Sequence, residues 1–198
     1  MSYDLLAALL AFAFVSVVTP GPNNLMLLAS GVNFGLRRSA PHVAGVTLGV
    51  VFMVLLLGAG VAEATAQAPE VALALRGVSL IYMLWLAWRI ATAPPDPEAA
   101  ACAGRPLTFL QAAAFQWVNP KAWVMALTAL GAYALDAGAA GVLTVAGAFL
   151  VVGPPCNLLW VAAGARLRRL VARPQALRRV NVALALLLLA SLWPMLRM

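Results

Sequence analysis

The chain has 198 residues, 64% of them hydrophobic and only 10% charged, with a formal net charge of +7. Its mean hydropathy of +0.95 lies far from soluble domains, which run near half apolar and about a quarter charged. These figures exclude a soluble enzyme, a disordered tail and a disulfide scaffold, and leave an integral membrane protein.

A membrane helix needs about 20 apolar residues. The length therefore predicts a single all-α membrane domain over 1–198, with six transmembrane helices and short loops. The first helix is expected over about 5–30. Its start, Leu5 to Val18, imitates a secretory leader, but no positive charge precedes it and no cleavage site follows. Instead it runs into Thr19-Pro20-Gly21-Pro22-Asn23-Asn24. Proline removes a backbone donor and collides with the carbonyl four residues back. The helix should therefore break at 19–22 and free the carbonyls of Ser16 and Val18. The amides after Pro22 then begin a new helix, whose positive end attracts a carboxylate.

The second helix is expected over about 41–62, opened by Pro41, a good first helical residue. It carries His42, the only histidine, at its start, and Gly45 and Gly49 at helix-packing spacing. His42 suits either a proton relay or, as the plainer reading, a hydrated residue at the membrane interface. The third helix spans about 73–92, with Tyr82, Trp85 and Trp88 as packing or belt residues. A polar gap over about 94–106 then separates a first repeat (about 1–93) from a second (about 107–198).

The fourth helix, about 107–131, carries Asn119-Pro120-Lys121. Pro120 should free the carbonyl of Gln116 and break this helix at a depth comparable to the first break. A lysine within an apolar span costs about 2.5–3.5 kcal/mol on insertion scales. Lys121 is therefore a candidate to pair with a substrate carboxylate or to move protons; capping the carbonyls near Pro120 is the alternative. The fifth helix, about 140–164, holds Gly153-Pro154-Pro155, read as a third break, and Asn157. The sixth spans about 180–197, with Asn181 near its start. Cys102 and Cys156 lack metal-ligand spacing; they read as a surface thiol and a small packed hydrophobe.

Charge placement sets the orientation. Arg37 and Arg38, Arg89 and Arg105, and Arg166, Arg168, Arg169, Arg173, Arg178 and Arg179 fall in alternate connections and make up ten of the 13 basic residues. The other side has Arg76 and Arg197 with Asp4, Glu63, Glu70 and Asp136. The positive-inside rule makes the arginine side cytoplasmic and both termini periplasmic. Dispersal of the arginines among loops, with no basic face, also excludes a nucleic-acid partner. Helices one and four then run in opposite senses, the signature of two inverted three-helix repeats whose broken helices meet near the midplane.

No phosphate loop, catalytic triad or zinc motif occurs, so neither an enzyme nor a cofactor or resident metal is expected. The candidate substrate-binding residues are Ser16, Val18, Pro20, Gly21, Pro22, Asn23, Asn24, Asn119, Pro120, Lys121 and Asn157. Lys121 and His42 are the proton-coupling candidates, since no acidic residue falls inside a span.

The Thr19–Asn24 motif, followed by Gly31, Gly35, Arg37, Gly45 and Gly49, resembles the lysine exporter superfamily, and within it the homoserine/threonine-resistance branch. Asn119-Pro120-Lys121 and the spacing of Asn157, Trp160 and Gly164 match as well. Tyr82–Pro94 and Arg179–Leu188 look most like the exporters of cysteine and O-acetylserine. The resemblance implies efflux of amino acids or small derivatives across a bacterial inner membrane by proton antiport. In this reading the amides at Asn23 and Asn24, with Lys121, hold the carboxylate, while the carbonyls of Ser16 and Val18 take the ammonium. The expected partners are the small-molecule substrate and membrane lipid, with homodimer formation left open. The alternatives are a heavy-metal or inorganic-ion exporter of the same superfamily and a non-transporting membrane scaffold.

Overall fold

The structure is a computed structural model and describes residues 2–61, 69–94, 104–134, 138–170 and 173–191. Within these residues the chain is all-helical. Helices α1 (Tyr3–Val18) and α2 (Pro22–Arg38) are the two arms of one broken element, bent by 57° at Thr19–Gly21. Helix α3 (Ala40–Leu56) ends in a π turn, Leu57–Val61. Then come α4 (Pro69–Ala91), α5 (Phe109–Phe115), a 3-10 turn at Gln116–Val118, α6 (Pro120–Tyr133), α7 (Gly138–Leu170) and α8 (Pro174–Ala190).

Local chemistry explains the boundaries. Ser2 caps α1, accepting from the Leu5 amide at 3.3 Å. Thr108 and Gln111 form a reciprocal capping box on α5. Asn119 caps α6 ahead of Pro120, its Oδ1 accepting from the Lys121 amide at 3.2 Å. Helix α2 runs beyond the expected end near residue 30, but it leaves helical geometry at Gly35, where φ is +75°. Glycine has no Cβ to obstruct that conformation.

Two expectations need correction. Helix α7 passes through Pro154 and Pro155 without interruption, so the third break is absent. It lies along α1, α2 and α3, and packing on several sides holds a helix together through lost hydrogen bonds. His42 is not hydrated: it is 1% exposed. Much of the 94–106 gap lies outside the described residues. So do Cys102, Glu63, Asp136, Arg197 and the end of the expected sixth helix.

Among the described residues two stretches, Ala40–Gly60 and Gly138–Leu170, are long and apolar enough to cross a membrane, or three if the bent α1–α2 pair is one span. The closest packing is between α2 and α7. A Cβ at Gly31 would fall on the Val161 carbonyl, and one at Gly164 on the Leu28 carbonyl. Gly45 and Gly49 likewise bring α3 onto the backbone of α5, which makes them packing residues.

The arginine-bearing connections gather at one end. Arg38 Nη2 donates to the Gly104 carbonyl at 3.1 Å and Arg89 Nη2 to the Arg105 carbonyl at 3.5 Å, so the α2–α3 and α4–α5 connections are neighbours. Near the end of α2, Asn33 exchanges amide hydrogen bonds with Asn181, two turns into α8, at 3.0 and 3.1 Å. That pair brings the α7–α8 connection to the same end.

The core is divided in two. One apolar cluster includes Leu25, Val46, Phe115 and Val161; the other includes Ala13, Val50, Ala122 and Phe149. Four elements pass from one cluster to the other through polar residues: Ser16–Asn24, Thr47, Gln116–Lys121 and Asn157. The polar layer is thus built where the helices break.

Candidate functional site

The two breaks meet. The Lys121 ammonium, on the first turn of α6, donates to the carbonyl of Thr19, to Thr19 Oγ1 at 2.9 Å and to the Pro20 carbonyl at 3.5 Å. Asn23 Nδ2 donates to Gln116 Oε1 at 2.8 Å, and Gln116 Nε2 returns a bond to Asn23 Oδ1 at 3.2 Å. One cation and one amide pair therefore tie segments about a hundred residues apart.

At the two breaks the backbone carbonyls freed by the prolines are satisfied, as a low-dielectric setting demands. Asn24 Nδ2 donates to the carbonyls of Val17 (2.8 Å) and Thr19 (2.6 Å). The Ser16 carbonyl accepts from the Thr19 hydroxyl at 3.1 Å, and the Val18 carbonyl from the Trp160 indole at 3.3 Å. At the second break, the Gln116 carbonyl accepts from the Asn119 amide at 3.2 Å, and the Trp117 carbonyl from the Trp123 indole at 2.9 Å. The carbonyls expected to receive a substrate ammonium, Ser16 and Val18, are thus already engaged. Those of Thr19 and Pro20 hold the protein's own ammonium.

Beside these groups lies a cavity. Of the residues singled out from sequence, Ser16, Gly21, Asn23, Asn24, Asn119, Lys121 and Asn157 line it; Val18, Pro20, Pro22 and Pro120 shape the backbone behind it. Asn157 Nδ2 donates to Thr47 Oγ1 at 3.1 Å, joining α7 to α3 on the far wall. Val46, Val50, Met125 and Phe149 make the apolar remainder. Gly21 is small for a reason: a Cβ there would come within 2.7 Å of Lys121 Cδ. No side chain caps α2, so the amides of its first turn present their partial positive charge without an internal partner.

Two residues were missed by sequence reasoning as site members. Gln116, fully buried, drew notice only for its carbonyl; the signal was an amide side chain in an apolar run, one turn before a proline. Thr47, also buried, lies between Gly45 and Gly49, whose spacing signals helix packing alone. His42 is apart, in a different cavity nearer the arginine end. Cys156 is a buried free thiol that lines neither cavity.

The wall combines an ammonium, an uncapped helix N-terminus, backbone carbonyls and side-chain amides in an otherwise apolar surround. In charge, the ammonium and the helix N-terminus complement a carboxylate, and the carbonyls complement an ammonium. Among the described residues no three of His, Cys, Asp and Glu converge.

Residues 14–191 match the LysE type translocator family. The chain is 34% identical to the cysteine/O-acetylserine efflux protein of Escherichia coli O139:H28 over 192 residues, 96% of each chain. It is 34% identical over 191 residues, 95% of each, to the proteins of the same name from Escherichia coli K12 and Shigella sonnei. No solved structure gives a significant match.

Proposed function

The chain belongs to the LysE type translocator family, and from that premise we propose that it exports cysteine, O-acetylserine or similar small amino acids across a bacterial inner membrane. It is a multi-pass membrane transporter rather than an enzyme.

The observation that carries the mechanism is the position of Lys121, whose ammonium reaches from one broken helix to the carbonyls of the other. In this arrangement it occupies the acceptors that a cargo ammonium needs. An incoming zwitterion takes its place: the cargo ammonium settles on the Thr19 and Pro20 carbonyls, and Lys121 turns to the cargo carboxylate beside the amides of Asn23 and Asn24. Charge is exchanged like for like, so no carbonyl is stranded in a dry site. Asn119 and Asn157 complete the polar lining.

Alternating access follows from the architecture proposed for the six helical segments. The first repeat is α1/α2, α3 and α4; the second is α5/α6, α7 and α8. The packing supports this division, since the first broken element lies on α7 and the second on α3, while α4 lies on α8. An exchange of repeats preserves those pairings. The arginine-bearing end faces the cytoplasm by the positive-inside rule, which leaves both termini periplasmic. The two repeats rock about the polar layer, with proton antiport as the driving exchange and Lys121 as the group that trades a proton for cargo.

Counterflow in proteoliposomes tests the substrate class. Vesicles loaded with unlabelled cysteine or O-acetylserine should accumulate the labelled compound, with homoserine and threonine as the nearest competitors. Absence of exchange with every amino acid in such a panel would overturn the reading.

A further inference from the structure

His42 lies at the start of α3, 1% exposed, and neither ring nitrogen has a hydrogen-bond partner. Native folds rarely leave such atoms unpaired. It lines a cavity that shares no residue with the central one. Also on the wall are Ser30, Asn33, Arg89 and Arg105.

The polar side chains nearby are committed elsewhere. The Ser39 hydroxyl donates to the Gly35 carbonyl at 2.8 Å, so Ser30 gives its own proton to Ser39, 2.7 Å away. Asn33 Nδ2 donates to the Ala29 carbonyl at 2.8 Å and to Asn181 Oδ1 at 3.0 Å, and its own Oδ1 accepts from Asn181. Arg89 lies over the Trp85 ring, 5.0 Å from its centroid, with one N–H on the Arg105 carbonyl. The cavity is lined by an unsatisfied imidazole and two arginines, with no carboxylate among the described lining residues. Guanidinium donors match a carboxylate in geometry and charge. A neutral imidazole adds one donor and one acceptor, enough to engage the carboxylate and an adjacent ammonium together.

We propose that this cavity is a second, carboxylate-recognising site at the arginine end of the molecule. It holds the carboxylate of a small amino acid between Arg89, Arg105 and His42 before the cargo reaches the broken helices. The identity of the cargo rests on the function proposed above; the carboxylate site does not.

Because His42 is the only histidine, labelling with 15N-histidine gives one imidazole to follow by nuclear magnetic resonance. The full chain in neutral-lipid nanodiscs is titrated with sodium acetate against sodium chloride at equal ionic strength. Acetate should shift the His42 resonances saturably, and Arg89→Gln with Arg105→Gln should raise the half-saturating concentration about tenfold or more. Arg105→Gln alone, in an exposed loop, covers the case in which the double variant fails to fold, and it should weaken acetate in the same direction. Lys121→Ala should leave the acetate response intact, which separates this site from the central one. A saturable response in protein that shows no counterflow would refute the proposed cargo and keep the site. No acetate-specific shift in the wild type would overturn the site. A shift produced by phosphatidylglycerol in the nanodisc, with acetate then without effect, would overturn the cargo role in favour of a lipid headgroup.

Discussion

Asn23 and Gln116, 93 residues apart, spend their amide groups on each other, at 2.8 and 3.2 Å. Each sits at the edge of a proline break, and their pairing joins one break to the other. The pair acts as a clasp: it fixes how the two interrupted elements face each other and so where Lys121 can reach.

Removing one half of the clasp strands the other in a buried setting, at a cost of about 1–3 kcal/mol. Gln116→Ala and Asn23→Ala should each lower the unfolding midpoint in detergent, and the double variant should lose less than the sum of the two. Strict additivity in that double-mutant cycle would show that the bonds carry no coupling.

Gly21→Ala pushes on Lys121 rather than on backbone. Its side chain is flexible, so the variant should insert and fold normally. The displaced ammonium should leave the Thr19 and Pro20 carbonyls, and efflux should fall by about tenfold, the scale of one charge-assisted hydrogen bond. Efflux at the wild-type rate would mean that Lys121 does not need this position.

At the crossing of α2 and α7 the obstacle is backbone, which cannot yield. Gly31→Ala and Gly164→Ala should therefore destabilise the fold by about 2 kcal/mol or more, within the range for overpacking. Gly77→Ala and Gly147→Ala, where a Cβ meets nothing within 4 Å, should fold like the parent. Thermal melts of the four variants in one detergent compare them directly.

The Asn33–Asn181 pair should act as an anchor between α2 and α8, its amides engaged with each other rather than with cargo. Either residue changed to Ala leaves a buried amide without its partner and should cost about 1–3 kcal/mol. The half-saturating cargo concentration should hold wherever folding survives. A large rise in that concentration with full stability would assign the pair to the cargo path.

The sequence disclosed the frame because its punctuation is strong. Pro20-Gly21-Pro22 and Asn119-Pro120 oppose an unbroken helix, and both positions interrupt one in the structure. Pro154-Pro155 carries the same local signal with a different outcome, because α7 is packed along its length and tolerates the lost donors. Local chemistry cannot tell those cases apart; tertiary contacts decide. Gln116 went unrecognised as a site residue because its role exists only in a pairing across the fold. His42 follows Pro41 at a helix start, a position that reads as interfacial, yet neighbouring elements bury it. The engagement of the Ser16 and Val18 carbonyls was equally hidden, since it depends on Thr19 turning back and on Trp160 arriving from α7.

The account turns on Lys121 as the group that yields its place to cargo. The direct measurement is counterflow of labelled O-acetylserine by Lys121→Ala in proteoliposomes, with folding verified by its melting profile. The account predicts exchange at the protein-free background, and partial recovery in Lys121→Arg, which keeps the charge. Wild-type exchange by a folded Lys121→Ala protein would contradict it.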